Sequence, residues 1–146
     1  MTQSMIVIST NHAFLRFPRK DAFRIIQLVY QSEKKNLTSI AIVNTNDRHM
    51  RKINKTYLNH HYTTDVIAFP LGKDGDVEGE VYINLDAARK QAQEYGVTYK
   101  RECARLLIHG VLHLLGYTDV TVQQKSKMRR REDSYLEKLD KTKVKK

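Results

Sequence analysis

Two histidines and a carboxylate carry the chemistry of this chain. His109 and His113 sit inside Leu106-Leu107-Ile108-His109-Gly110-Val111-Leu112-His113-Leu114-Leu115, and Asp119 follows six residues later, beyond Gly116. On an α-helix, side chains four residues apart share a face with Cβ atoms about 5–6 Å apart, so both imidazoles can aim at one ion. Gly116 tolerates the left-handed backbone on which helices end, which lets the chain fold back and offer Asp119 as a third ligand. Two imidazoles and a carboxylate suit zinc, with a fourth position left for water. The same set also suits Fe(II), Mn or Ni. Asp119 has a second reading as the N-cap of the helix that follows it. Gly110 stands where a zinc protease of the His-Glu-x-x-His type keeps its general base, which argues against a protease.

The ligands need a helix, and the flanking residues predict one. Cys103, Leu106, Leu107, Gly110 and Leu114 form an apolar stripe, while Glu102, His109 and His113 recur on another face. Glu102 lies two turns before His109, roughly 10 Å along the axis, too far to share an ion and better placed as a supporting partner.

Upstream, Met5-Ile6-Val7-Ile8 reads as a strand, Asp21 to Lys34 as an amphipathic helix and Leu37 to Val43 as a second strand. A helix capped within Asn44-Thr45-Asn46-Asp47 is expected to run to about Leu58. Asp65 to Phe69, stopped by Pro70, and Glu80 to Asn84 read as two more strands, and their short connection predicts antiparallel pairing. A helix from Leu85 closes at Gly96, and a charged helix runs from Val120 to about Leu139 with Met128, Tyr135 and Leu136 as its apolar contacts. The expected fold is α+β: one domain over residues 1–140, a small mixed four-stranded sheet packed by about five helices, then a basic tail at 141–146.

Composition narrows the class. The 146 residues are 40% hydrophobic and 29% charged, as in a folded domain. The single Cys103 cannot form an internal disulfide, and no run approaches the ~18 apolar residues of a membrane span or looks like a secretion signal, so the cytoplasm is expected. Twenty-six Lys and Arg against 16 Asp and Glu give +10 at pH 7, an excess that favours a polyanionic partner. The run Lys125 to Arg131 is either a solvated helix face or a track for an RNA backbone. Asp65, at a strand start, reads first as a turn-forming aspartate and second as a catalytic carboxylate. His12, His49, His60 and His61 show no partner spacing.

Two stretches together resemble the YbeY family of bacterial ribosomal-RNA maturation factors. Ile53-Asn54, Tyr57 and Thr64-Asp65-Val66-Ile67-Ala68-Phe69 are similar to the family's Leu-Asn…Thr-Asp-Val-Leu-Ser-Phe segment. His109-Gly110-Val111-Leu112-His113-Leu114-Leu115-Gly116-Tyr117 matches its His-Gly-x-Leu-His-Leu-x-Gly-Tyr. The resemblance spans essentially the whole chain and implies a metal-dependent, single-strand endoribonuclease acting on ribosomal RNA. It departs at two positions. The family's usual third ligand is a histidine where this chain has Asp119. A carboxylate there leaves a zinc site at +1 rather than +2 and its bound water less acidic. The family's arginine after the Leu-Asn segment, a phosphate contact, aligns with Leu58, which cannot bind phosphate; Lys55, His60 and His61 are the nearby donors. A water on the ion is the only catalytic group this reading supplies, and no general acid is assigned. The competing class is a non-catalytic RNA- or ribosome-binding factor with a structural metal.

Overall fold

The computed structural model describes residues 5–58, 64–72 and 77–144. Four strands form one mixed sheet in the order β1 (Met5–Thr10), β2 (Leu37–Thr45), β4 (Val77–Asn84), β3 (Val66–Pro70). β1, β2 and β4 run parallel, and β3 runs antiparallel to β4, with Val66 opposite Ile83 and Pro70 opposite Gly79. The antiparallel pairing expected from the short connection is therefore present. α1 (Arg19–Ser32) connects the parallel pair β1 and β2, and the longer connection from β2 to its parallel neighbour β4 runs through α2 (Asp47–Ile53) and β3. The remaining helices are α3 (Leu85–Tyr95), α4 (Tyr99–Leu114) and α5 (Val122–Val144).

Alternation along the strands divides the sheet into two faces. In β3, Val66 and Ala68 pack toward the main core, while Ile67 and Phe69 pack with Met50, Ile53 and Tyr82 under α2. The main core gathers Ile40 and Ile42 of β2, Val81 and Ile83 of β4, and the buried faces of α1 and α4. α4 is its centre. Cys103, Leu106, Leu107, Ile108, Val111 and Leu112 are fully or almost fully buried, and the thiol of Cys103 is pushed up to about 12 by that burial. The expected apolar contacts of α5 are buried too, Met128 at 2%, Tyr135 at 3% and Leu136 at 4% exposure.

Gly110 fixes how closely α4 lies on the sheet. A Cβ there would stand 2.5 Å from Val81 Cγ1 and 3.2 Å from Val66 Cγ2. The helix can approach β3 and β4 this closely only because the residue between the two histidines has no side chain.

The helix expected to reach Leu58 does so in two parts, α2 and then a π-helical turn, Asn54–Leu58. Each residue of a π turn advances less around the axis than in an α-helix. Tyr57, which continuous α spacing would align with Met50 and Ile53, is instead 71% exposed with its ring edge against Phe69. Among the described residues, no helix is long and apolar enough to cross a membrane.

Candidate metal centre

α4 ends as the sequence requires. Leu115 caps it in right-handed conformation, and Gly116 follows at φ 103°, a value an L side chain rarely adopts. The turn closes with Tyr117 N–H donating to Leu112 O at 3.1 Å, and it brings Asp119 back over the last turn of the helix. The cap reading of Asp119 does not hold. α5 is capped by a reciprocal box in which Thr121 Oγ1 accepts from Gln124 N–H at 3.1 Å, while Gln124 Oε1 accepts from the N–H groups of Val120 and Thr121. That box leaves the Asp119 carboxylate available.

Three ligand atoms converge. His109 Nε2 lies 2.9 Å from His113 Nε2 and 3.3 Å from an Asp119 oxygen, and His113 Nε2 lies 3.6 Å from the other Asp119 oxygen. Tetrahedral ligands 2.0–2.1 Å from zinc stand about 3.3 Å apart, so these separations bracket the spacing an ion needs. The three residues form a group that could hold a metal ion.

The far nitrogens decide which atoms would face an ion. His113 Nδ1 donates to Tyr117 O at 2.9 Å, and a carbonyl can only accept. His109 Nδ1 donates to Glu132 Oε2 at 2.6 Å. In the neutral rings, therefore, both protons sit on Nδ1, and two Nε2 lone pairs and a carboxylate face one another. Three acceptors at these distances repel unless a cation lies between them. Burial and the neighbouring His109 lower the pKa of His113, which keeps its imidazole neutral and able to ligate.

Glu132 was not visible in the sequence as a site residue. It is 2% exposed and also accepts from Arg105 Nη1 at 3.2 Å. Arg105 in turn donates through Nε to Glu102 Oε1 at 3.0 Å and pairs with the second Glu102 oxygen. Burial alone would lower the Arg105 pKa; its bonds to Glu102 and the charges of both glutamates outweigh that and raise it. Glu102 is thus the supporting partner expected, acting through Arg105 and Glu132. Glu102, Glu132 and Asp119 against one guanidinium give this group of residues two negative charges, which one divalent cation would cancel.

A second support reaches His113 from the other side. Glu33, just beyond α1, accepts from Tyr117 Oη at 2.7 Å, from Arg131 Nη1 at 3.1 Å and from Tyr135 Oη. Arg131 also stacks 4.6 Å over the Tyr117 ring. The residue whose carbonyl orients His113 is therefore held at its own side chain.

Other predicted residues lie apart. Lys55 is exposed on the π-helical turn and does not line the cleft beside His109. His60 and His61 fall outside the described residues. Asp65 accepts from Gln91 Nε2 at 3.1 Å. His12 has a partner after all: its Nε2 lies 2.8 Å from Asp86 Oδ1, across 74 residues of sequence.

Fold and site together define a small α+β protein with a two-histidine, one-carboxylate centre between its fourth and fifth helices. The sequence model of the family described as Endoribonuclease YbeY matches residues 9–140. The protein named Endoribonuclease YbeY from Chlorobium luteolum is 43% identical over 80% of this chain and 85% of its own length. The protein of that name from Chloroherpeton thalassium is 39% identical over 90% of this chain and 94% of its own. The solution structure of TM1509 from Thermotoga maritima shares the fold, with TM-score 0.64, 23% identity, and coverage of 91% of this chain and 87% of that one. This chain belongs to the YbeY family.

Proposed function

We propose that this protein is a metal-dependent endoribonuclease that cuts single-stranded RNA in ribosomal-RNA processing and ribosome maturation, with His109, His113 and Asp119 holding one zinc ion. The observation that carries the reading is the convergence of those three acceptors, with both histidine protons held on the far nitrogens, in a chain of this family. A bound divalent ion supplies an electrophile that acidifies water and offsets charge developing on phosphoryl oxygens. Glu132 and the Tyr117 carbonyl fix the two imidazoles, and Asp119 sets the charge of the centre.

The domain performing this work is residues 1–140, which the family match over 9–140 supports; the basic residues 141–146 follow it, the first four of them continuing α5 to Val144. Its place is the cytoplasm, which the unpaired, buried Cys103 suits. The competing reading is a non-catalytic ribosome-binding factor with a structural metal, and Leu58 in place of a phosphate-binding arginine is what favours it.

Elemental analysis of purified His113→Ala tests the ligand set: about one equivalent of metal should be lost, together with cleavage of single-stranded RNA. Unchanged metal content would overturn the ligands. Absence of cleavage by metal-loaded wild type, freed of contaminating nucleases, would favour the binding factor.

A further inference from the structure

With a divalent ion bound, Glu102, Arg105, Glu132, His109, His113 and Asp119 together carry no net charge, so they do not by themselves attract a polyanion at long range. Other cations must do so. α5 supplies the second wall of the cleft, where Lys125, Met128, Arg129 and Glu132, the last already paired with Arg105 and His109, stand with Arg105, His109 and Asp119.

The basic residues around this wall are not equivalent. Arg105 is committed to Glu102 and Glu132, and Arg131 to Glu33 and the Tyr117 ring. Lys127 lies over the other side of the site, 5.8 Å from the centre of the Tyr117 ring. Lys125 and Arg129 are exposed and make no ion pair among the described residues. Four residues apart, they share one helix face, about 6 Å apart along the axis. That separation is comparable with the distance between neighbouring phosphates of an extended strand. An exposed, unpaired lysine and arginine keep full charge and free donors for phosphate oxygens, the arginine with a planar fork that matches two of them.

We propose that Lys125 and Arg129 are the phosphate-contacting residues of the cleft, gripping consecutive phosphodiesters of single-stranded RNA beside His109 and Asp119. The proposal rests on the RNA reading above and deepens it. The pair takes over, from α5, the work that Leu58 cannot do. Neither residue touches the reacting atoms, so the pair governs substrate affinity and not the chemical step.

The test uses the metal-loaded protein and a short labelled single-stranded RNA, comparing wild type with Lys125→Ala/Arg129→Ala. A control, Lys20→Ala/Arg130→Ala, removes the same charge from exposed positions outside the cleft. The cleft variant should keep its metal and its melting temperature, raise KM about 10-fold at low salt with kcat little changed, and lower the slope of log affinity against log salt by about 1.4, roughly 0.7 per lost phosphate contact. Lys125→Arg/Arg129→Lys should retain most of the affinity. An equal loss in the control pair, or loss of metal from the cleft variant, would overturn the proposal. Wild-type behaviour in the cleft variant would overturn it while leaving the ribonuclease reading intact. A wild type that neither binds nor cuts the RNA would remove the ribonuclease reading itself.

Discussion

Glu132 Oε2 stands 2.6 Å from His109 Nδ1, joining the first residue of the candidate metal centre to a side chain of α5 23 positions later in the chain. The carboxylate holds the proton on Nδ1 and makes Nε2 the better electron donor. Glu132→Gln keeps the shape but has one acceptor oxygen where His109 and Arg105 need two, and turns an amide toward one of those donors. Metal affinity, measured by competition with a chromogenic chelator, should fall about 10–100-fold. Unaltered affinity would mean that the contact does not orient the ligand.

Gly110 gives the second prediction. An added methyl would meet Val81 Cγ1 at 2.5 Å, so Gly110→Ala must shift α4 or β4 despite the better helix propensity of alanine. Overpacking of this kind costs about 1–3 kcal/mol, and urea denaturation should show it as a lower midpoint with an unchanged slope.

Thr121 gives a third. Its hydroxyl closes the reciprocal cap of α5 two residues beyond Asp119. Thr121→Ala should lower stability by about 1 kcal/mol in the same assay. It should also weaken metal binding, because the turn carrying Asp119 loses its anchor, whereas the exposed neighbour change Val122→Ala should leave metal affinity alone.

Glu33 predicts a pH dependence. Burial by itself would raise its pKa, but the hydroxyls of Tyr117 and Tyr135 and the charges of Arg131 and Lys138 outweigh that and hold it below the usual 4.5. A carboxylate whose folded-state pKa is depressed adds stability above the unfolded value and loses it as pH falls through the folded one. Glu33→Gln should therefore be about 1–3 kcal/mol less stable than wild type at pH 7, with the gap closing progressively below pH 4.5 in denaturation curves taken at a series of pH values. A gap independent of pH would assign the effect to packing.

How far these relationships can be read in advance depends on their range along the chain. The His109, His113 and Gly116 spacing is local, and helix geometry alone brings its members together. The strands could be found because their apolar residues cluster between turn signals, and β3 and β4 pair because their connection is short. Glu132 escaped because it stands among Arg130, Arg131 and Asp133, where one more charge looks solvated. One signal could have revealed it: Met128, Glu132 and Leu136 recur at i, i+4 and i+8, so Glu132 lies within the stripe that buries the helix. The pairings of Glu33 with Tyr117 and of His12 with Asp86 span 84 and 74 residues, and no local pattern encodes them. The exposure of Tyr57 follows from a π-helical turn, which α spacing does not encode.

The support of His109 by α5 also sets a timetable. Translation proceeds from the N-terminus, so a growing chain contains both imidazoles and Asp119 before Glu132 has been added. Until α5 emerges and docks, His109 lacks the acceptor that fixes its tautomer, and the cleft lacks its basic wall. A chain that stops short of α5 would therefore hold the three ligand side chains without the carboxylate that orients one of them.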